Sequence, residues 1–221
     1  MHFNKFTAAV IIVIISAALT NYFVGAALRF YVPDAEYTAY EKKYGKYAVI
    51  RLNALLDKMN KLVDENASDD TKVIEINSFF NQVQYQSDIK TWGKTDYWAS
   101  RLEFLGVGLG DCEDYAVSKF LTLIQIGVPQ EKLFLTYVKR GKESHLVVTY
   151  YKQPNTIPFV LDNYDKSIQL ATNRKDLAPV YSFNANDLYL QRQQGLGARV
   201  DPSQSKNLNK LNAINLEIMA R

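Results

Sequence analysis

Three residues could do chemistry together in this chain: Cys112, His145 and Asp162. The cysteine is the only one present, and one of the two histidines is residue 2. Any reaction that needs a thiol and an internal imidazole must therefore use Cys112 and His145. Thiol chemistry runs through the thiolate. A helix N-terminus presents unpaired N–H groups and a partial positive charge, which lower a thiol pKa. A neighbouring imidazole forms a thiolate–imidazolium pair and can later protonate a leaving amine. A carboxylate on the far ring nitrogen holds the tautomer and the orientation.

Each residue also has an ordinary reading. A lone cysteine is commonly a small buried hydrophobe. A histidine at a strand start is commonly structural, and an aspartate before an asparagine, as in Asp162-Asn163, is commonly a turn residue. The joint arrangement puts a thiol nucleophile on an equal footing with these. A glycine-rich approach leads to Cys112 at a helix start, and His145 and Asp162 fall on successive strands.

Acids crowd the cysteine: Asp111, Glu113 and Asp114. Part of this is ordinary, because acids favour the first turn of a helix and Asp111 suits its cap. Carboxylates beside a thiolate nevertheless raise its pKa, the wrong direction for a nucleophile. A bound cation removes the conflict, and hard oxygen ligands suit Ca²⁺. Zinc is disfavoured, since the one cysteine and the one internal histidine are already assigned. Trp92 and Trp98 are weaker signals. Either could line a cleft or offer an indole N–H to an oxyanion beside the Cys112 backbone N–H. Core packing is the ordinary alternative.

The elements that must position these residues follow from the pattern. Hydrophobic residues make up 48% of the chain and charged residues 22%, which excludes disorder and a charge-rich coiled coil. A length of 221 residues favours one domain. The net charge of +3, with scattered Lys and Arg, makes a nucleic-acid binder a poor reading. Residues 35–66 read as one helix, with Leu52, Leu55, Leu56, Met59 and Leu62 at helical spacing. A second helix starts at Asp69, and a polar loop spans residues 84–96. A short helix follows, carrying Trp98, Leu102 and Leu105. Gly106, Gly108 and Gly110 mark a bent, closely approached backbone. The nucleophile helix runs from Asp111 or Cys112 to about Ile126. Residues 133–138, 145–151 and 158–164 read as antiparallel strands, with more strand at 180–183 and 188–190. The tail, 203–221, reads as a terminal helix. Helices first and strands afterwards give an α+β fold.

The N-terminus differs in kind. An uncharged, mostly apolar run spans Thr7 to Leu28. It suits a secretory signal, with cleavage after Ala18 or near Gly25-Ala26-Ala27, or an N-terminal membrane anchor. Either reading exports the rest of the chain. Residues 1–29 are thus a signal or anchor, and residues 30–221 are the domain.

Gly110-Asp111-Cys112-Glu113-Asp114-Tyr115-Ala116, Ser144-His145-Leu146-Val147 and Val160-Leu161-Asp162-Asn163 resemble the bacterial transglutaminase-like cysteine proteinases. The nearest type is the LapG-type periplasmic protease that releases adhesins. The resemblance spans roughly residues 35–200. It implies a papain-like, transglutaminase-core fold, with Cys112 as nucleophile, His145 as base and Asp162 as orienting acid. It implies calcium dependence, with Asp111 and Glu113, and less directly Asp114, as ligands. It also implies a large outer-membrane adhesin as substrate, cut in its N-terminal region in the course of biofilm dispersal. The implied partner is the periplasmic domain of an inner-membrane cyclic-di-GMP receptor. The location would be periplasmic, soluble or tethered through residues 7–28. Two rival functions stay open: amide transfer in the transglutaminase sense, and a catalytically silent binding module.

Overall fold

The computed structural model describes residues 29–184, 186–191, 196–201, 205–214 and 219–220. The expected signal or anchor, residues 1–28 above all, lies outside them. Among the described residues no helix is long and apolar enough to cross a membrane.

A two-residue strand, β1 (Phe30–Tyr31), leads into α1 (Asp34–Tyr44) and α2 (Lys46–Asp64). The sequence suggested one helix here. Gly45 divides it, with φ 77° and ψ −180°, a conformation that costs glycine least. The apolar stripe of α2 is buried as expected, through Leu52, Leu55, Met59 and Leu62. Next come α3 (Asp69–Phe80), capped by the Ser68 hydroxyl, and β2 (Gln84–Tyr85). After the short α4 (Asp88–Thr91), α5 (Arg101–Val107) opens with a reciprocal Ser100–Glu103 capping box. The segment expected to be a plain loop thus holds β2 and α4. β2 pairs in parallel with β3 (Leu109–Gly110), which ties it to the residues just before Cys112.

α6 (Cys112–Gln125) is the central helix. It buries Tyr115, Ala116, Val117, Phe120 and Leu123, and its polar Asp114, Ser118, Lys119 and Thr122 are buried too. A helix buried on nearly every side must sit inside the domain. It packs between the N-terminal helices and a seven-stranded sheet. That sheet holds β4 (Leu133–Arg140), β5 (Glu143–Tyr150), β6 (Phe159–Leu161), β7 (Gln169–Leu170), β8 (Leu177–Phe183), β9 (Leu188–Gln191) and β10 (Leu196–Val200). Its order is β10-β9-β8-β4-β5-β6-β7, and every pairing is antiparallel. The α+β reading therefore holds, although β7 and β10 were not foreseen.

The tail departs from expectation. Helix α7 covers only Lys206–Ala213, burying Leu208 and Leu211. β11 (Met219–Ala220) then pairs with β1. Helical spacing was present, but backbone pairing with the first strand claims the last residues. Ile218 of the expected apolar stripe lies outside the described residues.

Candidate active site

Asp111 is the N-cap of α6. Its carboxylate accepts the Glu113 N–H at 3.3 Å, and Asp114 accepts the Asp111 N–H at 3.2 Å. This reciprocal cap makes Cys112 the first residue of the helix. Gly110 allows the approach. A Cβ there would lie 2.5 Å from Asp114 Oδ2 and 2.6 Å from the Phe104 ring. Two sequence expectations, Asp111 as cap and a closely approached glycine backbone, thus meet at Cys112.

The Cys112 thiol donates to Glu113 Oε2 at 2.7 Å. The Leu146 N–H also bonds to the sulfur, so Cys112 lies against the residue that follows His145. Burial pushes the thiol pKa up, and the Glu113 charge and hydrogen bond add to it; the Leu146 N–H works the other way. The conflict read from the sequence is therefore present in the fold.

His145 is buried at 3% exposure, and its Nε2 lies 2.8 Å from Asp162 Oδ1. Val148 pairs with Leu161, and continuing that register sets Asp162 on the same face as His145, one diagonal away. Burial opposes ionisation of Asp162. Hydrogen bonds from His145, the Tyr164 N–H and Arg174 overcome it and hold the carboxyl well below the usual range. An ionised carboxylate only accepts, so Nε2 carries a proton. The Tyr164 ring stands edge-on to the imidazole, at 5.4 Å between centroids.

Further groups fix Asp162. Arg174 Nη2 donates to Oδ2 at 2.7 Å, while Asn81 Nδ2 and Lys119 Nζ donate to its backbone carbonyl at 2.9 and 3.2 Å. Burial lowers the Lys119 pKa to about 7.

Asp111 and Asp114 gather with Asp88 on α4. One oxygen from each lies within 4.8 Å of the others. Asp114 is fully buried and accepts from the Ala99 and Asp111 N–H groups. Asp88 accepts from the Tyr97 N–H through Oδ2, and its buried Oδ1 has no hydrogen-bond partner. Burial pushes Asp114 up to about 7, against its backbone bonds. Burial, then the charges of Glu113, Asp114 and Asp88, push Asp111 up to about 9. Three hard oxygen donors that repel one another, one with a bare buried oxygen, suit a Ca²⁺-type ion. Asp111, Cys112 and Glu113 form a second close group, but there Glu113 is engaged with the thiol.

Both tryptophans pack. Trp98 is buried and stacks on Phe183, and Trp92 tilts against Tyr97. Their indole N–H groups are buried without a hydrogen-bond partner. Asp88, Arg174, Lys119 and Asn81 escaped the sequence reading. Ser87-Asp88 is a helix-start signature that could have drawn notice. Nothing local distinguishes Arg174 from the other cations; only the fold beyond β7 brings it to Asp162.

The model of the bacterial transglutaminase-like cysteine proteinases matches residues 52–178, more than half of the chain. Similar solved structures include LapG from Legionella pneumophila. Its EGTA-treated form is 33% identical, with a TM-score of 0.68, covering 80% of this chain and 94% of that one. Its calcium-bound form is 32% identical, with a TM-score of 0.67, covering 80% and 96%. A third LapG structure is 34% identical, with a TM-score of 0.66, covering 81% and 94%. Among curated protein sequences there is no match. With the helix-first order, the α6 start at Cys112 and the antiparallel sheet all in agreement, this chain belongs to the bacterial transglutaminase-like cysteine proteinases.

Proposed function

We propose that this protein is an exported, calcium-dependent cysteine endopeptidase that cuts the N-terminal region of a large surface adhesin and so promotes biofilm dispersal. The observation that carries the reading is the buried His145–Asp162 pair, next in sequence to the backbone N–H that reaches the Cys112 sulfur.

The chemistry follows from the residues. His145 Nδ1 takes the Cys112 proton, and the sulfur attacks the peptide carbonyl. The Cys112 backbone N–H, at a helix N-terminus, stabilises the oxyanion. The imidazolium then protonates the leaving amine, and a thioester remains on Cys112. Water, deprotonated at the same nitrogen, attacks the thioester and frees the thiol. Throughout, Nε2–H stays with Asp162, which orients the ring and stabilises its positive form.

Asp88, Asp111 and Asp114 would hold the calcium ion, with Glu113 as a further acid beside the thiol. When bound, the ion supplies positive charge that offsets the crowding of these carboxylates. Support comes from the bare Asp88 oxygen and the raised pKa values, and from the calcium-bound form of the similar LapG. The adhesin, the periplasmic location and sequestration by a cyclic-di-GMP receptor domain rest on the family resemblance, and export rests on the apolar run Thr7–Leu28.

The test is incubation with an adhesin fragment, with and without chelator. Two smaller fragments, formed only with calcium and only with Cys112 intact, are expected. A mass gain on added amine would instead mean amide transfer. A stable complex without turnover would mean a binding module.

A further inference from the structure

Asp162 is held from more sides than a triad acid needs. Arg174 Nη2 donates to its Oδ2 at 2.7 Å, and the same guanidinium grips Asp176 through Nε and Nη2 at 2.9 and 2.8 Å. Arg174 is only 4% exposed. Bidentate pairing with a carboxylate fixes the plane of a guanidinium, so Asp176 sets how Arg174 meets Asp162. With Oδ2 taken, Oδ1 alone faces His145 Nε2 and the Tyr164 N–H. We propose that Arg174, braced by Asp176, is a positioning residue that fixes the Asp162 carboxylate and, through it, the Nε2–H tautomer and the ring orientation of His145. A triad acid needs only its partner histidine and ordinary hydrogen-bond donors. Here a buried cation is added, and an apolar side chain in its place would leave Oδ2 buried without this donor.

The proposal rests on the cysteine-protease reading, so the test separates the two. Cys112 is the only thiol. Its alkylation by iodoacetamide, followed by mass in the full-length protein with calcium present, therefore reports nucleophile activation without any substrate. Imidazole ¹⁵N spectra report the His145 tautomer, and comparison with His145→Ala assigns it against His2. His145→Ala should slow alkylation; if it does not, the triad reading and this proposal fall together. Given that slowing, Arg174→Met should slow alkylation about 10-fold, the scale on which outer partners of an active group act. It should also abolish the signature of an aspartate-bonded Nε2–H. Arg174→Lys should recover most of both. A folded Arg174→Met protein with the wild-type rate and an unchanged imidazole spectrum overturns the proposal while leaving the protease reading intact. If Arg174→Met does not fold, Asp176→Ala decides. Asp176 is half-exposed, and its loss should move rate and spectrum in the same direction by less. No movement in either overturns the proposal.

Discussion

The two ends of the site handle charge in opposite ways. Around Asp162, negative charge is met by Arg174, by the imidazole and by the Tyr164 backbone N–H, and the carboxyl is held strongly ionised. Around Asp111, carboxylates face carboxylates. Among the described residues no Lys or Arg side chain pairs with Asp88, Asp111, Glu113 or Asp114, and Asp111 and Asp114 are pushed up to about 9 and about 7. One acid is held by the protein's own cations. The other acids form a close group whose oxygens would suit a cation. His145 and Asp162 are thus fixed by groups of the fold itself, whereas Asp88, Asp111 and Asp114 are gathered without a cation of their own among the described residues.

The sharpest break between the two ends is chemical. Cys112→Ala should abolish turnover while costing only about 1–2 kcal/mol of stability, because it removes a small side chain at a helix start. Peptide cleavage and thermal melting measured on the same sample check both halves. Cleavage that persists would remove the enzyme reading.

Asp162→Ala should be inactive and also markedly unstable. It leaves a buried guanidinium short of one partner, and breaking a buried pair costs several kcal/mol. Because Asp176 still holds Arg174, we expect about 3 kcal/mol, at the lower end of that range. Urea unfolding measures it, and a loss below about 1 kcal/mol, the scale of an exposed pair, would mean that the balanced end is not balanced by this pair.

How much of this contrast was legible in the sequence differs at the two ends. The Cys112 end is local: Asp111, Glu113 and Asp114 flank the thiol within one helical turn, so their conflict could be read from the chain. Asp88 was missed because it arrives from another helix. The His145 end is non-local. His145 and Asp162 could be placed on neighbouring strands, but their contact depends on the register of β5 with β6. Arg174 depends on the chain path beyond β7. The single helix expected over residues 35–66 failed at Gly45 for a related reason. Periodicity continues across the break, and only the backbone dihedrals of one residue reveal it. The terminal helix failed because pairing of Met219–Ala220 with Phe30–Tyr31 is a contact between chain ends that spacing cannot show.

Without metal, the stability of the crowded end should fall as pH rises. Asp111 and Asp114 have folded pKa values above their ordinary value of 3.8. Folding therefore favours their protonated forms. Their contribution is full below the ordinary carboxylate range and is lost as pH rises towards about 7 and about 9. Between pH 4 and 7 each of the two groups should lose roughly 3 kcal/mol. Asp162 has the opposite sign, but its stabilisation is lost only below that window. Melting in chelator across this range should show a decline, and a flat or rising curve would contradict the crowding.

Calcium should reverse that decline. An ion that binds only the folded state stabilises it by about 2.7 kcal/mol at 100 times its dissociation constant. The gain should grow with pH, because the ligands must be ionised to bind. Mg²⁺ should do much less, since it demands a tighter octahedral shell and keeps its waters. Calorimetric titration at neutral pH checks saturable binding directly. Absence of a saturable Ca²⁺ heat would make the acids structural.

The smallest effect is the most discriminating, because its sign differs between the two ends. Asp88→Asn keeps an oxygen for the Tyr97 N–H and turns an amide towards Asp111 and Asp114. It removes one member of a like-charge group and gives the remaining carboxylates a donor. In chelator the variant should therefore be more stable than wild type, by about 1 kcal/mol, the usual net worth of a hydrogen bond. With Ca²⁺ the order should invert, because the variant has lost a charged ligand and much of the metal-linked gain. Asp162→Asn offers no such inversion: it weakens the bonds from Arg174 and His145 and should destabilise with or without metal. Paired melts of the two variants, each with calcium and with chelator, test this. Loss of stability in Asp88→Asn under chelation would mean that Asp88 is held as firmly as Asp162, and the contrast between the two ends would not stand.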